Sequence, residues 1–157
     1  FADWQRIMRV NVDGVFLCTQ AALRRMVPRK AGRIINLSSI AGRGPSNVQS
    51  AYNTSKHAVI GLTRCTAMEM GPHGITVNAL CPGLIESDMF DGVLAGMALQ
   101  TTHQDPEQQR RDMLRLVPQG RMIQPDEVAA VAVFLASPAA GAITGQAIPV
   151  DGGRMMA

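Results

Sequence analysis

Apolar residues fall at Trp4, Ile7, Met8, Val12, Val15, Cys18, Ala22 and Met26, the spacing of one helical face, and Pro28 stops the run. Asp3 stands where its carboxylate would cap that helix. After a turn the pattern changes. Residues 33–37 are short, β-branched and apolar, as a buried parallel strand would be. Ser38-Ser39-Ile40-Ala41-Gly42 leaves the carboxyl end of that strand. A second helix is expected over 50–70, with Ser50 as its cap and Gly71-Pro72 as its stop. Residues 75–80 read as another strand, closed by Pro82-Gly83. The stretch 86–120 is polar and Met-rich, with helical pieces and a break near Asp105-Pro106. It is the least regular part of the chain, which is where a substrate lid is expected. Pro125, with Asp126 and Glu127, opens a helix that turns Val128, Val131, Ala132 and Leu135 inward and ends at Ser137-Pro138. Residues 146–150 form a last strand, and Pro149, which has no N–H to donate, places it at a sheet edge.

The order α-β-α-β-α-β predicts a parallel sheet with helices on both faces. In such sheets ligands bind beyond the carboxyl ends of the strands. Ser38-Ser39 and Pro82-Gly83 both fall at such ends, so two separate features converge on one crevice. The 157 residues fit one domain with a real core.

Composition narrows the function classes. The net charge of +3 is mild, and only Arg24-Arg25 and Arg110-Arg111 cluster. No aromatic residues interleave with them, which argues against a nucleic-acid partner. No apolar run approaches the ~20 residues that cross a bilayer. No basic then apolar segment opens the chain, and a cytoplasmic protein is expected. Cys18, Cys65 and Cys81 show no metal spacing and suit a reducing compartment. All three are expected to pack as small core residues. His57, His73 and His103 lack ligand spacing, and Met89, Met97 and Met113 read as flexible apolar surface, so no metal is expected. The chain begins Phe1-Ala2-Asp3, without Met, which suggests a cleaved segment or a piece of a longer protein.

Tyr52-Asn53-Thr54-Ser55-Lys56 carries the strongest chemical signal. Four residues apart on a helix, the phenol and the ammonium share a face, one turn apart. Free Tyr and Lys both titrate near ~10, so neither alone is a neutral-pH acid or base. A lysine charge beside a phenol favours the phenolate and eases proton movement. Taken alone, the pair is also compatible with a half-buried core tyrosine and an exposed helix lysine. The nearby Ser39 and Pro82-Gly83 favour proton-transfer chemistry.

At this point the chain resembles the short-chain dehydrogenase/reductase family. The motifs are Asn11-Val12-Asp13-Gly14-Val15-Phe16, Gly32 through Ser39, Tyr52 through Lys56, Gly74-Ile75-Thr76-Val77-Asn78, Cys81-Pro82-Gly83, Phe134-Leu135-Ala136-Ser137, Ile143-Thr144-Gly145 and Val150-Asp151-Gly152-Gly153. They occur in the family's order and intervals. The resemblance implies a Rossmann-type doubly wound α/β fold and hydride transfer between NAD or NADP and a carbonyl or secondary alcohol. It implies that Tyr52 is the general acid or base, and that Lys56 tunes it and holds the nicotinamide ribose. Ser39 would bond the substrate oxygen. Asn11 would shape its helix so that a water links Lys56 to solvent. Pro82, Gly83, Ile85 and Ser87 would wall the nicotinamide, Ile85 through its backbone. By the same resemblance, 1–85 holds the catalytic elements, 86–120 sets substrate choice and 121–157 supplies the C-terminal helix and edge strand. The chain resembles 3-oxoacyl-(acyl carrier protein) reductases and polyketide-type ketoreductases, which raises an acyl thioester as a substrate, though sugar and hydroxy-acid dehydrogenases share these features. A homo-oligomer, dimer or tetramer, is implied for the full-length protein.

The chain departs from the family at its start. The family's N-terminal dinucleotide-binding strands are not found, nor is the Gly-rich strand-to-helix turn that receives the pyrophosphate. The chain therefore reads as a fragment, inactive alone, whose 33–37 strand would present an unpaired edge. The competing function is a non-catalytic module that associates with other subunits through its two long helices.

Overall fold

The computed structural model describes residues 1–47, 49–97 and 105–156. His103 lies outside them, as do the side chains of Met89 and Met97. The helical N-terminal stretch comprises α1 (Ala2–Met8), a π-helical segment (Arg9–Asp13) and α2 (Gly14–Met26), followed by a 3-10 turn at Val27–Arg29. Strand β1 (Gly32–Leu37) leads through a 3-10 turn at Ile40–Gly42 to the long helix α3 (Ser50–Met70). Then come β2 (Ile75–Pro82), α4 (Asp88–Met97), α5 (Pro106–Leu114), α6 (Pro125–Ala136) and β3 (Ala147–Val150).

Among the described residues the sheet has three parallel strands in the order β1-β2-β3. Gly32 pairs with Ile75 and Leu37 with Leu80; Ala79 pairs with Ala147 and Pro82 with Val150. Side chains alternate across a strand, so each strand feeds two cores. On one face Ile34, Ile75 and Val77 meet Ala67 of α3 and Leu23 and Met26 of α2. On the other, Ile35, Leu80 and Ile148 meet Val128, Val131 and Leu135 of α6. This is the doubly wound α/β architecture that the alternation of elements predicts. Pro149 sits on the edge strand β3, where its missing N–H removes no ladder bond.

Several local expectations need correction. Asp3 does not cap the first helix; it lies in the first turn, behind Phe1 at the cap position, and faces Arg6 at 3.6 Å. Ser50 is the first helical residue of α3, and Gln49 holds the cap position without a side-chain bond to the helix. Cys18 and Cys65 are exposed, and only Cys81 is buried. On α2 the inward positions are Val15, Thr19, Ala22, Leu23 and Met26, which leaves Cys18 exposed. On α3 the inward positions are Val59, Ile60, Thr63, Thr66 and Ala67, which leaves Cys65 on the outer face.

Within 86–120 the described residues carry two helices, α4 and α5, and part of a core. Leu84, Val117 and Met122 form a small core with Phe90, Met113 and Leu114. Arg110 of α5 pairs with Glu86 at 3.5 Å and with Asp91 of α4 at 3.3 Å.

Candidate active site

The site is built on two strand ends and one helix. At the end of β1 the Leu37 carbonyl accepts from Lys56 Nζ at 3.0 Å. Ser38 is buried, and its hydroxyl donates to the Lys56 carbonyl at 2.9 Å. Ser39 is extended and caps the 3-10 turn, its Oγ accepting from the Ala41 N–H at 3.1 Å. A serine hydroxyl has one proton to donate. Ser39 Oγ donates to none of the described groups, so that proton remains available at the carboxyl end of β1.

Helix α3 supplies the other two groups. The ammonium of Lys56 lies 5.6 Å from the centroid of the Tyr52 ring, which places both on one face as the i,i+4 spacing requires. Tyr52 and Lys56 are each half-buried. Burial pushes the Lys56 ammonium down from its ordinary value, with the Cys81 thiol opposing. Burial pushes the Cys81 thiol up, against the combined pull of Arg43, the Ser38 hydroxyl, the Ser39 backbone and Arg64.

Asn11 lies in the π-helical segment, and its Nδ2 donates to Ser55 Oγ at 3.0 Å. Ser55 Oγ in turn donates to the Tyr52 carbonyl at 2.6 Å. Asn11 therefore reaches the site through the backbone of α3. Short π segments often mark functional positions, and this one has a specific side-chain tie at its centre.

The second wall follows β2. Pro82 ends the strand, and the Gly83 N–H donates to the Val150 carbonyl at 3.0 Å. Glycine is required at 83 by space. A Cβ there would come within 2.7 Å of the Asp151 Cβ. Ile85 makes an isolated parallel bridge to Ile123, so its backbone is fixed. Ser87 is exposed and receives the Phe90 N–H at the entry to α4, with Oγ at 3.4 Å and the carbonyl at 2.9 Å. The structure thus brings Ser39, Tyr52 and Lys56 to the end of β1, and Pro82 and Gly83 to the end of the adjacent β2. Ile85 and Ser87 continue from Gly83 towards α4. No cluster of three His, Cys, Asp or Glu able to hold a metal occurs among the described residues.

A family model described as "Enoyl-(Acyl carrier protein) reductase" matches residues 1–154. The chain belongs to the short-chain dehydrogenase/reductase family. As a member of that family it is 41% identical over 155 residues to the 3-oxoacyl-[acyl-carrier-protein] reductase of Synechocystis, covering 98% of this chain and 57% of the relative. It is also 41% identical to the (3R)-3-hydroxyacyl-CoA dehydrogenase of Rattus norvegicus, covering 98% of this chain and 55% of that protein. The NADPH-bound F189W actinorhodin polyketide ketoreductase superposes with a TM-score of 0.91 at 36% identity, over 96% of this chain and 58% of that one. NAD+-bound xylitol dehydrogenase superposes at 0.93 with 32% identity, over 97% and 60%. The chain thus spans a little over half the length of these relatives.

Sequence reasoning passed over four residues that hold the site together. Ser39 matches the family's serine, so Ser38 drew no role, yet it is buried and bonds the Lys56 carbonyl. Ser55 sits inside the Tyr-to-Lys motif but is fully buried, bridging Asn11 to α3. Gly42 is in contact range of Ser38 and Lys56, and Asp151 is in contact range of Gly83. A small residue in a turn beside a chemical motif was the one signal that pointed to Gly42.

Proposed function

We propose that these residues form the substrate and nicotinamide side of an NAD(P)-dependent oxidoreductase. It interconverts a carbonyl and a secondary alcohol, as a ketoreductase or 3-oxoacyl-thioester reductase. The convergence of Ser39, Tyr52 and Lys56 at the end of β1 carries this reading. When bound, the nicotinamide supplies or accepts the hydride. Tyr52 gives a proton to the substrate oxygen in reduction and takes it back in oxidation. The uncommitted Ser39 proton donates to the same oxygen and steadies the charge that develops there. The Lys56 ammonium, 5.6 Å from the centre of the Tyr52 ring, supplies a positive charge beside the ring that gives up the proton.

The donor set fits a nicotinamide riboside. One of the three Lys56 protons is held by the Leu37 carbonyl, which leaves two for ribose hydroxyls. The backbone of Pro82, Gly83 and Ile85 and the Ser87 hydroxyl would line the nicotinamide. Asn11 would support proton supply to Lys56 through the π-helical segment. Residues 1–85 then hold the chemistry, 86–120 select the substrate and 121–157 close the sheet. Three unpaired thiols fit a reducing cytoplasm.

The test uses the complete reading frame that carries these residues, assayed for ketone and acetoacetyl-thioester reduction with NADH and NADPH. Tyr52→Phe should lose at least ~3 kcal/mol of transition-state stabilisation, about a hundredfold in kcat. A variant that keeps wild-type kcat removes Tyr52 from this role.

The 157 residues alone contain no Gly-rich turn between a strand and a helix to receive a pyrophosphate. We therefore expect weak dinucleotide binding and no turnover from this chain by itself. Micromolar affinity for NADH or NADPH in a fluorescence titration would overturn that expectation.

A second reading, association through the long helices, has its own observation. A groove of about 560 Å³ between α2 and α3 is lined by Phe16, Leu23, Val27, Leu62 and Met70 among others. Exposed Leu17 and Met68 extend this apolar surface. We propose that it joins copies of the protein into a homo-oligomer. Sedimentation of the complete protein as a monomer would refute it.

A further inference from the structure

Ser38 has no part in the proton transfer, yet it is more buried than Ser39 beside it. Its N–H donates to the Leu80 carbonyl at 2.8 Å and extends the pairing of β1 with β2 by one residue. Its hydroxyl reaches across to the Lys56 carbonyl at 2.9 Å, in the first half of α3. That carbonyl already belongs to the helix ladder, so the bond is not there to satisfy an orphan acceptor. Gly42 closes over the same two oxygens. A Cβ on it would lie 2.6 Å from Ser38 Oγ and 2.7 Å from the Lys56 carbonyl. The Lys56 side chain then returns to the same strand end, bonding the Leu37 carbonyl at 3.0 Å. Lys56 is thus fixed by backbone and by side-chain tip to consecutive residues of one strand end. Ser39 is next along the chain, and Tyr52 lies one turn earlier on α3.

We propose that Ser38 is a positioning residue: its hydroxyl bond to the Lys56 carbonyl sets the spacing of Ser39 from Tyr52 and Lys56. The catalytic consequence rests on the proton-transfer reading above, whereas the clamp is a property of these residues alone. Without the hydroxyl, α3 is free to shift against the end of β1. A misplacement of ~1 Å can cost about a hundredfold in rate. The shift also admits water to the Lys56 ammonium, which burial holds low; the titratable groups facing it are Tyr52 and Cys81.

The complete reading frame is compared with Ser38→Ala, Ser38→Cys and Tyr52→Phe. The readouts are kcat and KM with an acetoacetyl thioester and NADPH or NADH, and the titration of the Lys56 ammonium by 15N NMR. Ser38→Ala should lower kcat by about 10- to 100-fold at nearly constant KM. It should also raise the Lys56 titration towards the ordinary lysine value. Ser38→Cys, which keeps the shape but is larger and a weaker donor, should fall between. Wild-type kcat, or an unchanged Lys56 titration, in Ser38→Ala overturns the proposal. If the alanine variant does not fold, the cysteine variant is judged by the same criteria. If Tyr52→Phe keeps wild-type kcat, the proton-transfer reading fails, and the Lys56 titration alone decides the clamp.

Discussion

At the scale of single residues, two glycines, one in the turn packed on α3 and one within α3, make opposite predictions from the same substitution. Gly42 lies under the Ser38–Lys56 contact, and an added Cβ would press on backbone atoms of α3 as close as 2.7 Å. Backbone cannot rotate away as a flexible side chain can. Gly42→Ala should therefore destabilise the fold by about 1–3 kcal/mol, the usual cost of overpacking. Gly61 stands in α3 with nothing within 4 Å of its would-be Cβ. There the alanine should stabilise by about 0.5–1 kcal/mol, because glycine loses more freedom on entering a helix. Urea midpoints of the two variants against the parent chain measure both signs. A Gly42→Ala that does not destabilise would mean that the turn at 40–42 does not pack on α3 as described, and a destabilised Gly61→Ala would mean that its surroundings are not open.

At the scale of elements, the start of α6 has a pH-sensitive anchor. Glu127 accepts two bonds of 2.7 Å from the Arg121 guanidinium and one of 2.9 Å from the Gln124 N–H. The Arg121 bond first, then the backbone bond, hold its carboxyl down at about 2. A depressed carboxyl adds stability at pH values above its unfolded value near ~4.3, and the contribution is lost as pH falls through the folded value. Thermal midpoints of the parent chain should thus fall more between pH 4.5 and 2 than those of Glu127→Gln. The pair is exposed, so the difference should be small and should shrink with added salt. Identical acid limbs in the two proteins would remove the anchor. Elements also show what the sequence made legible. The α-β alternation and the Tyr52–Lys56 face follow from local spacing, which a chain displays directly. The π-helical segment around Asn11 does not, because a uniform 3.6 period was assumed from Trp4 to Met26. The segment is tied by a contact between residues 44 positions apart, Asn11 with Ser55. Nor does the chain display that Thr19 rather than Cys18 turns inward on α2, or that Ser38 bonds α3 while Ser39 caps a turn, since both depend on tertiary contacts.

At the scale of the whole molecule, β1 is an edge of the sheet among the described residues. Its outer backbone groups have no strand beside them there, and Leu37 at its end is 57% exposed. An edge of this kind offers donors, acceptors and apolar area together, which is the template for pairing with another chain. The edge is not blunted by a bulge or proline: β1 reads Gly-Arg-Ile-Ile-Asn-Leu, with its charge near the start and apolar residues further along. The 157-residue chain should therefore associate increasingly with concentration over a roughly hundredfold range, as mass action requires. Leu37→Lys places a solvated charge at the exposed end without touching the Leu37 carbonyl that holds Lys56, so it should weaken association. Sedimentation velocity on the two proteins separates this edge from the α2–α3 groove. Substitution of Phe16 by Glu acts on the groove alone, and association that responds to Phe16 but not to Leu37 would assign the self-contact to the helices.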